Sequence, residues 1–113
     1  MDTEQRARQI ARLILDSQQP VTVIRDPSRS YTVTKRGGCA ACDPGACPVC
    51  GYLFTGEILQ IEHRSQGKRN VSDRAVHFLS HGMSQYQTGY VIRGEPVTVK
   101  LDLEELASYL DLT

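Results

Sequence analysis

Three observations in this 113-residue chain predict an α+β fold, a small antiparallel sheet with N- and C-terminal helices. Apolar residues recur at helical spacing near both ends. Between the ends, short runs alternate apolar and polar side chains, as half-buried strands do. All four cysteines fall on one Pro/Gly-rich loop that joins two of those strands. Helices packed on one face of a largely antiparallel sheet make the architecture α+β. The length is that of one domain, residues 1–113, with room for a modest core.

The first helix is read from Ala7, Ile10, Ala11, Ile14 and Leu15 on one face, with Arg6, Arg8 and Arg12 elsewhere. Pro20 ends it. Residues 21–24 and 31–35 alternate as strands about the turn chemistry of Asp26-Pro27-Ser28, so residues 20–36 read as a hairpin. Gly37-Gly38 stops the second strand and opens the cysteine loop, and residues 57–63 form the strand beyond it. Residues 64–71 are polar and basic and read as an exposed loop. Ser72 is placed to cap a short helix over residues 73–81, with Gly82 just past its end. Ala75, Val76, Phe78 and Leu79 make its buried side. Residues 90–93 and 96–101 flank Gly94-Glu95 as a second hairpin. Asp102 and Glu105 then form a capping box, and Leu103, Leu106, Ala107 and Leu110 give the last helix its apolar stripe.

Cys39, Cys42, Cys47 and Cys50 are two C-x-x-C pairs. Four soft thiolates are the ligand number of a tetrahedral structural zinc. Gly51 permits the positive φ that lets the chain close round an ion and aim N–H groups at sulfur, while Pro48 restricts the loop. Cys47-Pro48-Val49-Cys50-Gly51 resembles the knuckle of zinc ribbons and rubredoxin-like sites. The first knuckle departs from that pattern, with Asp43 in the usual glycine position, though Asp tolerates the left-handed region. In the proteins resembled, the two knuckles sit on separate hairpins; here the turn Asp43-Pro44-Gly45-Ala46 joins them directly. The resemblance covers only the cysteine loop and implies a zinc-knuckle loop between two strands, and no family. Three other readings stay open: disulfides, which suit a secreted chain; an iron–sulfur cluster, whose common short spacing is absent; and a thioredoxin-like pair, which belongs at a helix start.

Net charge is zero, which argues against nonspecific coating of nucleic acid. The charge is uneven, with eleven Lys/Arg against eight Asp/Glu in residues 1–74 and two against five thereafter. The chain has no apolar run that would span a bilayer and no N-terminal signal core, so a soluble, cytoplasmic protein with no membrane partner is expected. Arg64, Lys68 and Arg69 precede the helix that carries Arg74, His77 and His81. Basic side chains at a helix N-terminus suit a phosphate, and Tyr86 and Tyr90 are near enough in sequence to stack on a base. The expectation is therefore a small zinc-stabilised binding or regulatory protein that contacts DNA or RNA through residues 64–81. The alternative is an adaptor or regulator that binds a protein partner through its acidic C-terminal helix or an exposed sheet edge.

His77 and His81 are four residues apart on one helix face. Metalloproteases use such pairs, but with a Glu directly after the first His; Phe78 stands there, so no general base is in place. A second metal site from His63, His77 and His81 is one reading of the histidines, and a polar, partly solvated helix face is the plainer one. The sequence has no Gly-rich phosphate loop and no evident Ser-His-Asp order. Metal coordination would consume the thiolates. An enzyme that uses the histidines stands as a third reading, behind the two binding roles.

Overall fold

The computed structural model describes residues 2–16, 18–19, 31–36 and 45–112. Their elements are α1 (Thr3–Asp16), β1 (Gln18–Gln19), β2 (Tyr31–Arg36), β3 (Ile58–His63), β4 (Gly67–Ser72), α2 (Asp73–Ser80), β5 (Gln85–Ile92), β6 (Glu95–Lys100) and α3 (Leu103–Tyr109). The fold is α+β, and the segment carrying Cys47 and Cys50 lies between β2 and β3. Cys39, Cys42 and the strand expected at 21–24 lie outside the described residues.

Among the described residues the strands divide into two sheets. One has the order β1-β2-β3-β4, and β5 and β6 form a separate hairpin. β2, β3 and β4 are antiparallel, with Val33 opposite Ile61 and Leu59 opposite Val71. β1 runs parallel to β2, with Gln18 beside Val33. The first helix therefore ends at Asp16, ahead of Pro20, and Gln18 and Gln19 already belong to the sheet.

Residues 64–71 are not the exposed loop their composition suggests. Residues 67–72 pair with β3 along their whole length, leaving a tight turn at 64–66. Only Val71 of this strand is buried, so the apolar alternation that marks a strand is missing. Pairing with β3 overrides the local composition. Lys68 and Arg69 suit an outer strand, where charge discourages further pairing.

Helix α1 buries Ala7, Ile10, Ala11 and Ile14 and packs on α2 and α3. Leu15, expected on the same face, is 48% exposed. Val76, Phe78 and Leu79 of α2, Leu106 and Ala107 of α3, and Val33 and Ile61 of the sheet complete the core. Ser72 Oγ accepts the Ala75 N–H at 3.1 Å, which fixes where α2 begins. The Asp73 N–H donates to Glu57 O at 3.0 Å. That bond pins the start of α2 beside the end of the cysteine loop, and it determines where the α2 histidines point.

Candidate metal centre

Residues 46–53 fold back on themselves as a small knuckle. Ala46 and Leu53 form an antiparallel bridge, the Cys47 N–H donates to Tyr52 O at 2.8 Å, and the Gly51 N–H donates to Cys47 O at 2.8 Å. Gly51 has φ 80° and open space around the position a Cβ would take. Its requirement is thus conformational rather than steric. The Val49 N–H points at Cys47 Sγ, 3.4 Å away. Burial pushes the Cys47 thiol up, but hydrogen bonds from the Cys50 and Val49 N–H groups and the Cys50 side chain outweigh it and hold the thiol below its ordinary value. A sulfur so supported is closer to the thiolate a metal requires.

His77 and His81 project from α2 onto this knuckle. His77 Nε2 lies 3.3 Å from Cys50 Sγ and 3.1 Å from His81 Nε2. One ligand atom from each of Cys47, Cys50, His77 and His81 falls within 4.8 Å of the others. Zinc bonds of about 2.3 Å to sulfur and 2.05 Å to nitrogen imply tetrahedral edges of roughly 3.3 Å between nitrogens and 3.6 Å between sulfur and nitrogen. The two separations given are close to those edges and the other ligand atoms lie within 4.8 Å, so the group could hold a metal ion. Burial, and then the neighbouring His81, lower the pKa of His77 against an opposing pull from Asp73. The imidazole is therefore neutral at neutral pH, the form that binds metals.

The three-histidine reading does not hold as a unit. His77 and His81 converge with the cysteines, whereas His63 sits on β3 among different partners. Its Nδ1 accepts the N–H groups of Ser65 at 3.1 Å and Gln66 at 3.3 Å. Nε2 is therefore the protonated nitrogen, and it donates to Asp111 Oδ2 at 3.1 Å. Ser65 Oγ also approaches Nδ1 at 3.3 Å, which makes a Ser-His-Asp arrangement that chain order did not suggest. It is no catalytic base, because backbone N–H groups already occupy the lone pair of Nδ1. This histidine fastens the 64–66 turn instead.

The six residues expected to meet nucleic acid are dispersed. Arg64 and Lys68 are exposed. Both arms of the Arg69 guanidinium donate to the Glu105 carboxylate, and the group lies 4.7 Å over the Tyr109 ring. Arg74 is buried, 4.1 Å over the Phe54 ring, and donates to Gln87 O at 3.1 Å. His77 and His81 belong to the metal group. The signal for that group was present in the chain as C-x-x-C followed by H-x-x-x-H, but residues 51–76 make a longer spacer than the dozen or so residues usual for such sites.

No family model, curated protein or solved structure matches this chain. Among the described residues, no helix is long and apolar enough to cross a membrane.

Proposed function

We propose that the chain is a small zinc-stabilised binding module in which Cys47, Cys50, His77 and His81 hold one zinc ion. The convergence of four ligand atoms within 4.8 Å carries this reading. Two sulfurs and two imidazole nitrogens are a common structural-zinc set, and four protein ligands leave no open position for substrate or water. The ion would then tie the knuckle to α2, and the work of the protein would be binding rather than hydrolysis. The competing proposal is the set Cys39, Cys42, Cys47 and Cys50. Metal analysis and cobalt(II) spectra of the full chain, of Cys39→Ser/Cys42→Ser and of His77→Ala/His81→Ala separate the two. About one zinc per chain, lost only in the histidine variant, supports the Cys2His2 set. Loss only in the cysteine variant returns the site to four cysteines, and no metal in the wild-type chain refutes both.

For the partner, we propose a protein ahead of DNA or RNA. Of the six candidate cations, Arg69 is engaged by Glu105, Arg74 is buried and the histidines face the metal group. By contrast, Leu53 is 73% and Val49 60% exposed on the knuckle itself, apolar surface with no use against a phosphate backbone. Titration of labelled DNA and RNA at two salt concentrations tests the choice. Binding that falls steeply with salt and is lost in Arg64→Glu/Lys68→Glu would restore the nucleic-acid reading.

A further inference from the structure

We infer that Tyr52, anchored by Asp73, is the positioning residue that aims the His77 imidazole at the metal. The inference rests on the Cys2His2 reading above. A histidine on a helix surface turns about its side-chain bonds, and each turn carries Nε2 away from the point a metal would occupy. A ligand is preorganised only if something fixes the plane of its ring. Here the Tyr52 ring lies flat on the His77 ring, with centroids 4.4 Å apart and planes 12° from parallel. Phe54 meets the same imidazole edge-on at 5.8 Å and 79°. His81 closes a further side at 4.7 Å and 79°. The imidazole therefore stands in a slot of three rings, with Nε2 directed at Cys50 Sγ and His81 Nε2.

Tyr52 is itself held at both ends. Its backbone carbonyl accepts the Cys47 N–H and so closes the knuckle. Its hydroxyl donates to Asp73 Oδ1 at 3.1 Å and Oδ2 at 3.2 Å. Asp73 lies one helical turn before His77, and the Thr55 N–H also donates to its Oδ2, at 3.2 Å. One side chain thus spans the two halves of the site, from the cysteine knuckle to the histidine helix. A carboxylate usually orients a metal-binding histidine by direct contact with the ring. Here the carboxylate acts one residue removed, through the phenol that covers the ring.

The test compares wild type, Tyr52→Leu and Tyr52→Phe as full-length chains. Zinc affinity is read by chelator competition and ligand geometry by the visible bands of bound cobalt(II). Tyr52→Leu removes the stack and is expected to bind zinc about tenfold more weakly, a typical loss for a group that orients a ligand, with shifted cobalt bands. Tyr52→Phe keeps the stack and loses only the bond to Asp73, so it should bind zinc about threefold more weakly than wild type, with a smaller shift of the bands. If Tyr52→Leu does not fold, Tyr52→Phe still decides, since wild-type affinity and wild-type bands there overturn the inference. Equal affinity and equal bands in Tyr52→Leu also overturn it. So does weaker binding with unchanged bands, because that is the mark of a loop merely destabilised. A wild-type chain that takes up neither zinc nor cobalt refutes the metal reading itself.

Discussion

Removing zinc should loosen the knuckle and leave the rest of the fold standing. The core is built from α1, α2, α3 and the β2–β4 sheet, through Ile10, Ile14, Val33, Ile61 and Leu79, none of which is a ligand. The knuckle also keeps anchors of its own. Phe54 is 5% and Cys47 2% exposed, and Tyr52 holds Asp73. A bound metal would add its binding energy to the folded state alone. At free zinc about a hundredfold above Kd that is about 2.7 kcal/mol. For a chain of this size, about 4 °C of Tm accompanies each kcal/mol, so chelation should lower Tm by about 10 °C. Thermal unfolding followed by circular dichroism, with zinc and with chelator, gives the shift. Hydrogen exchange gives its location, with the Cys47 and Gly51 amides losing protection on chelation and those of β3 keeping theirs. Two results would refute the reasoning: complete loss of structure on chelation, or no change in Tm for a chain shown to release its zinc.

Three further outcomes follow from the fold. Ser72→Ala removes the side-chain acceptor for the Ala75 N–H and should cost about 1 kcal/mol in denaturant unfolding, with weaker zinc binding as α2 frays next to its histidines. Leu79→Ala, at a fully buried position of α2, should cost about 2–5 kcal/mol in the same assay. Arg69, by donating to both carboxylate oxygens, holds Glu105 below its ordinary range against a smaller effect of burial. The pair therefore stabilises the fold fully above the ordinary glutamate range and loses its contribution as pH falls through the lowered value. Both side chains are part-exposed, so solvent screening leaves about 0.5–1 kcal/mol, and Glu105→Gln should flatten the acid limb of the stability profile by that amount.

The helices were legible because each carries its own signals. Ser72 and Asp102 cap α2 and α3, and the apolar stripes of all three helices repeat at the spacing that buries one face. β4 was hidden for the opposite reason. It buries only Val71, and its identity comes from partners on β3 that no local window contains. The same dependence on distant partners fastens α3 to the β3–β4 hairpin through Tyr109, whose hydroxyl donates to Gly67 O at 2.7 Å.

The metal group was half legible, and chain topology explains the missing half. The C-x-x-C pair with Gly51 marks a ligand-bearing turn on its own, and the four-residue spacing of His77 and His81 marks a shared helix face. What joins them is the path between. Residues 58–72 are an excursion: β3 goes out, β4 returns, and the Asp73 N–H bonds to Glu57 O at 3.0 Å, so the chain resumes close to where it left. With that hairpin set aside, only residues 51–57 and 73–76 separate the cysteine pair from the histidine pair. That direct path is roughly eleven residues, close to the dozen typical of C-x-x-C…H-x-x-x-H zinc sites. Spacing counted along the chain hides such a site; spacing counted after strand pairing is closed reveals it. The β3–β4 hairpin is therefore part of the candidate metal site in effect. By returning α2 to the knuckle it fixes which side chains Cys47 and Cys50 meet, although it contributes no ligand of its own.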